Sequence, residues 1–161
     1  MRALFILLGF VSQGLLTPLL SPWPPPDLLL AAALPLGRTP LWRPVLLAYL
    51  LGGVQDLAGG GVLGLHALGL AAGVFVAGLV VPERLEPGRA GLGWQLLALA
   101  AAFVGKGTAW TLLLAFLGQP APVREILRVV PLEALLTLGV VTLLYPLGTR
   151  LARRNERRLY L

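Results

Sequence analysis

The sequence predicts an all-α, polytopic membrane bundle of six helices, and three observations predict it. The chain is 57% hydrophobic against 12% charged, a balance that a soluble domain of this size cannot cover with polar surface. Its mean hydropathy is +0.84. The apolar residues fall into six runs punctuated by proline and glycine: Ala3–Leu20, Asp27–Leu36, Leu41–Ala58, Val62–Val81, Leu92–Gly118 and Leu132–Thr149.

About 20 helical residues cross a ~30 Å hydrocarbon core. Five of the six runs are long enough. The first could pass for a signal peptide, with Arg2 before an apolar core. Pro18 to Pro26 follow without a small-x-small cleavage site, so the run reads as an uncleaved first span. The second run is too short, even with Asp27 capping it after the Pro24–Pro26 brake. It reads as a half-helix, a re-entrant segment, or a span completed by the polyproline stretch. The fifth and sixth runs flank a 119–131 loop in which Arg124, Glu125 and Arg128 read as a short interfacial helix. Residues 1–161 then form one integral membrane domain, with 150–161 as a basic tail.

Charge orients the bundle. The net charge is +6, but it does not form a nucleic-acid footprint. Arg150, Arg153, Arg154, Arg157 and Arg158 crowd the tail, and most other arginines lie in short loops between apolar runs. Positive charge so placed marks cytoplasmic loops. Both termini are then cytoplasmic, as are the Arg38/Arg43 and Arg84/Arg89 loops, and the Gly59–Gly61 turn faces outward. Arg124 and Arg128 run against this bias.

That topology gives each polar residue a depth. Gln13 lies just beyond the midplane of helix 1. Gln55 and Asp56 lie near the outer end of helix 3, and His66 one turn into helix 4. Lys106 is near the middle of helix 5, with Trp110 one turn further out. Glu133 opens helix 6, and Thr137 lies one turn below it. The polar side chains therefore gather at mid-depth or in the outer half, as a candidate binding site or partner interface: Gln13, Gln55, Asp56, His66, Lys106, Trp110 and Glu133. Charged groups inside a bilayer are costly and by default point to function. Lys106, flanked by Gly105 and Gly107, is expected to face the bundle and be offset by Asp56 or Glu133. The alternative is snorkelling toward the interface. Asp56 has its own alternative, a helix-end acid resting in the headgroup region.

The glycines divide into two roles. Gly59, Gly60, Gly61 and Gly64 shape the turn between helices 3 and 4. Gly60/Gly64, Gly69/Gly73 and Gly73/Ala77 fall at small-xxx-small spacing, and helix 5 offers Ala98, Ala100, Ala101 and Ala102, faces that permit tight helix packing. Catalysis is not expected. Ser12 and Ser21 are the only serines, neither is in a nucleophile motif, and there is no HExxH and no phosphate-cradling loop. With no cysteine, thiolate metal sites and disulfides are excluded. Asp56 and His66 lack further spaced ligands for a metal, and no cofactor is expected.

The run Gly53-Val-Gln-Asp56-Leu-Ala-Gly-Gly-Gly-Val-Leu-Gly64-Leu-His-Ala-Leu68 resembles the signature of the MreD family of bacterial rod-shape-determining membrane proteins. That signature has a glycine, an Asp ending a helix, small residues, then Leu-Gly-x-x-x-Leu opening the next helix. Gly53, Asp56, Gly59, Gly60, Leu63, Gly64 and Leu68 match it. The Pro26-Asp27-Leu28-Leu29 entry to helix 2 looks like the family's proline-led start, although helix 2 is shorter than the family's.

The resemblance implies a non-enzymatic scaffold in the bacterial cytoplasmic membrane that supports lateral peptidoglycan synthesis by the elongation complex and so maintains cell shape. Its partner would be an MreC-like single-span protein with an extracytoplasmic β domain, alongside RodA, a class B penicillin-binding transpeptidase and MreB. Self-association stays open. The family's fold is similar to the substrate-binding subunits of energy-coupling-factor vitamin transporters. A vitamin-type uptake subunit, binding its ligand through Asp56, His66, Lys106 and Trp110, is therefore the alternative reading.

Overall fold

The computed structural model describes residues 2–11, 24, 26–34, 40–59, 62–81, 91–118 and 123–159. Those residues are helical apart from turns and connectors. The elements are α1 (Arg2–Val11), α2 (Leu28–Ala33), α3 (Trp42–Gly59), α4 (Leu65–Val80), α5 (Leu92–Phe116) and α6 (Val123–Leu159). The expected all-α class is what the chain adopts.

Among the described residues, two stretches are long and apolar enough to cross a membrane: α5, and Ile126–Leu144 within α6. Apolar α4 is shorter, at 16 residues. The surface fits an apolar surround. Phe116 is 87% exposed, Leu57 77% and Leu143 75%, and α3 shows Trp42, Leu46, Tyr49, Leu50, Val54 and Leu57 on its outside. Such continuous apolar surface marks a membrane or partner interface rather than a face held in water.

The described part of the short second run forms the six-residue helix α2. Its six residues rise about 9 Å, and all but Ala31 are buried. Asp27 caps it as the sequence predicts: its Oδ1 accepts the Leu30 N–H at 2.9 Å. Packed against α1 and α3, α2 sits in the bundle core.

Helix α4 packs between α3 and α5, and small residues let it do so. A Cβ on Gly73 would lie 2.6 Å from the Ala102 carbonyl oxygen. One on Gly105 would lie 2.8 Å from that of Ala72, and one on Gly52 2.5 Å from that of His66. Gly69, Gly73 and Ala77 of α4 are buried, as are Ala98, Ala102 and Gly105 of α5. The expected small faces are real in part: Ala100 is exposed and Ala101 half-buried, off the face that Ala98 and Ala102 bury. Gly64 belongs to the turn, at φ +89°, a left-handed conformation that costs a glycine little. It therefore stands outside the packing stripe.

The last two expected elements merge. The interfacial helix foreseen around Arg124–Arg128 and the span foreseen at Leu132–Thr149 form one helix, α6, running through Pro131 and Pro146. Proline removes one intrahelical donor and normally breaks or kinks a helix. Here Pro131 lies on the exposed side of α6, and Glu133 and Thr137, just beyond it, are buried and anchor the helix to α2 and α5.

Candidate functional site

Two polar centres sit in the bundle, linked by Trp110. The first is built on Lys106, in the middle of α5 and 1% exposed. Its Nζ donates to Asp27 Oδ2 at 2.6 Å and to both Glu133 oxygens at 2.9 Å. An ammonium has three hydrogens, so its donors are fully used. The Trp110 ring lies 4.6 Å from Nζ and the Phe103 ring 5.6 Å, adding cation–π attraction where no water competes.

Thr137 extends the network. Its hydroxyl accepts the Asp27 N–H and donates to the Glu133 carbonyl, each at 2.7 Å. Three separate helices thus meet on one ammonium. Removing a single partner from such a buried ionic group costs about 3–5 kcal/mol.

The second centre is the turn between α3 and α4. Asp56, 3% exposed, reaches across from the last turn of α3. Its Oδ2 accepts the Gly64 and Ala67 N–H groups at 3.0 and 3.1 Å, and its Oδ1 accepts the His66 N–H at 2.9 Å. The His66 ring meets the same oxygen through Nδ1 at 2.8 Å. A carboxylate only accepts, so that nitrogen carries the proton. The first N–H groups of a helix have no intrahelical partner. Asp56 supplies one from a neighbouring helix, where Gly64 at the cap position has no side chain to do so.

Trp110 ties the centres together. Its indole N–H donates to the Leu65 carbonyl at 2.9 Å, and its ring meets that of His66 edge-on, 5.4 Å between centroids. It packs over Gly69, where a Cβ would collide with the indole.

The structure thus corrects one expectation in part. Lys106 faces the bundle and pairs with Glu133 as foreseen, and it does not snorkel. Its other partner is Asp27, not Asp56, because four contacts to α4 already saturate the Asp56 carboxylate. The single polar cluster foreseen from depth is two centres. Gln55 joins neither: it is half-buried on α3, and its Oε1 is enclosed without a hydrogen bond among the described residues. Gly59 ends α3. Gln13, Gly60 and Gly61 lie outside the described residues.

Sequence reasoning read Asp27 as a cap and missed its second role. One signal was present, an acid after three prolines at the mouth of a run too short to span. Among the described residues no group of three or more His, Cys, Asp or Glu side chains could hold a metal ion.

Beside the Lys106 centre, an apolar groove of about 350 Å³ opens between α5 and α6. Phe103, Val104, Gly107, Thr108, Thr111 and Leu112 line one wall, and Ile126, Leu127, Val130 and Pro131 the other. The two threonine hydroxyls bond carbonyls one turn back in α5, which leaves their methyl groups to the groove.

In comparisons with known proteins, no family model, no curated protein and no solved structure matches the chain.

Proposed function

We propose that the chain is a non-enzymatic, multi-pass membrane scaffold whose α5–α6 groove holds the single membrane span of an MreC-like partner. One observation carries this reading: the acid that looked free for recognition is consumed in capping α4, while an apolar groove stands open between two membrane-length helices. Small-ligand sites need convergent polar groups aimed into a cavity. Here the polar groups bond one another, and the groove offers mainly methyl and methylene surface. That is the chemistry of helix–helix packing in lipid.

The MreD-like run at residues 53–68 supports the same reading, and names the process as lateral peptidoglycan synthesis with RodA, a class B penicillin-binding transpeptidase and MreB. The arginine distribution supports six passes with both termini in the cytoplasm of a bacterial cell. In this orientation the groove lies in the outer half of the bilayer, and the α3–α4 turn faces the partner's extracytoplasmic domain.

The test is co-expression with the MreC-like protein of the same genome and purification through a tag on the partner. The chain should co-purify stoichiometrically, and Thr111→Trp, which fills the groove from its α5 wall, should abolish recovery while the variant stays folded. Recovery unaffected by that substitution would remove the groove from the proposal. No complex at all, with a small molecule retained by the purified chain, would overturn the scaffold reading.

A further inference from the structure

The groove wall on α6 lies on the far side of Pro131 from that helix's polar anchor. Below it, Glu133 and Thr137 are buried and fastened to Lys106 and Asp27. Above it, the segment ahead of Pro131 meets α5 across open space. Ile126 is half-buried and Leu127 is 69% exposed. Among the described side chains of 126–130, Val130 alone is buried, 3.5 Å from where a Cβ on Gly107 would stand.

Pro131 lies at the border between these regimes. It has no N–H to give the Leu127 carbonyl, and its ring crowds that carbonyl. The helical ladder therefore loses a link where anchoring stops. Sharp bends in helices concentrate at such positions. At the other end, α5 terminates in the Leu117–Gly118 turn, with Gly118 at φ +66°.

We infer that residues 123–130 form a flap that pivots at Pro131 about the Lys106 anchor, opening and closing the α5–α6 groove. Closed, Ile126, Leu127 and Val130 settle against Gly107 and Thr111. Open, the flap admits the side chains of an apolar helix. Hinges absorb backbone change at a few positions while the flanking elements stay rigid, and here the rigid side is set by the ion pairs. This deepens the docking proposal and rests on the groove being its site.

The experiment uses the full chain alone in bilayer nanodiscs, so a failure of partner docking leaves it unaffected. Nitroxide labels at Leu112 and Leu127, exposed residues on opposite walls, report the groove width by pulsed dipolar spectroscopy. Labels at Leu97 and Leu143, on α5 and on α6 beyond the anchor, serve as control. The 112/127 pair should give a broad or two-population distance distribution that narrows to one in Pro131→Ala, and the 97/143 pair a single narrow one in both proteins. A single narrow 112/127 distribution unchanged by Pro131→Ala would overturn the flap. Equal broadening of the control pair would overturn it too, because α6 would then move as one body.

Discussion

Lys106 and Asp27 are 79 positions apart in the chain and 2.6 Å apart in the fold. That pair makes a six-residue helix part of the bundle core. Asp27 caps α2 with one carboxylate oxygen and holds the ammonium with the other, while its backbone N–H bonds Thr137. One residue therefore fixes where α2 starts, how deep it sits and which helices it touches.

Lys106→Met should therefore strand two buried carboxylates and lower stability by about 3–5 kcal/mol. Asp27→Asn and Glu133→Gln should each destabilise, and each double variant with Lys106→Met should cost less than the sum of its singles. Reversible unfolding in detergent or bicelles, analysed as double-mutant cycles, measures the coupling. Additive effects would mean that the ion pairs contribute nothing as pairs.

Asp56→Ala leaves the Gly64, His66 and Ala67 N–H groups without their acceptor. The expected loss is about 0.5–2 kcal/mol, the range for a helix N-cap. Amide exchange should rise at the start of α4 and stay unchanged in α6. Asp56→Asn retains an acceptor oxygen and should fall between wild type and Asp56→Ala.

Glycine positions should separate sharply by neighbour. A Cβ at Gly73 meets the Ala102 carbonyl oxygen at 2.6 Å, whereas at Gly53 it meets nothing within 4 Å. Gly73→Ala should cost about 1–3 kcal/mol by forcing α4 and α5 apart. Gly53→Ala, inside α3, should be neutral or stabilising by up to about 1 kcal/mol. Midpoints of thermal unfolding compare the two directly.

Trp110→Phe keeps a ring over Lys106 but removes the donor to the Leu65 carbonyl. The net loss should be about 0.5–1.5 kcal/mol, smaller than for Lys106→Met. A loss as large would mean that the indole, and not the ion pairs, holds the junction.

Much of this protein was legible without its fold. Asp27 as a cap, Gly64 in the turn, the inward-facing Lys106 and the Gly69, Gly73 and Ala77 face of α4 all follow from local chemistry. Two errors share one cause. Asp56 was expected to neutralise Lys106 because both carry charge at neighbouring depths. The N–H groups at the start of α4 are closer and greater in number, and depth along a membrane normal says nothing about which helices are neighbours. The Arg124–Arg128 helix and the sixth run were expected to be separate elements, but anchoring just beyond Pro131 carries one helix through the missing hydrogen bond.

The sequence by itself determined the helical class, the apolar character of the long helices and the Asp27 cap, because each depends on residues within a turn or two of one another. Tertiary structure alone decided which carboxylates Lys106 would hold, that Asp56 would serve a neighbouring helix, and where a groove would stay open. Those outcomes depend on which helix faces lie together, and that is set by glycine-mediated approach between segments far apart in the chain.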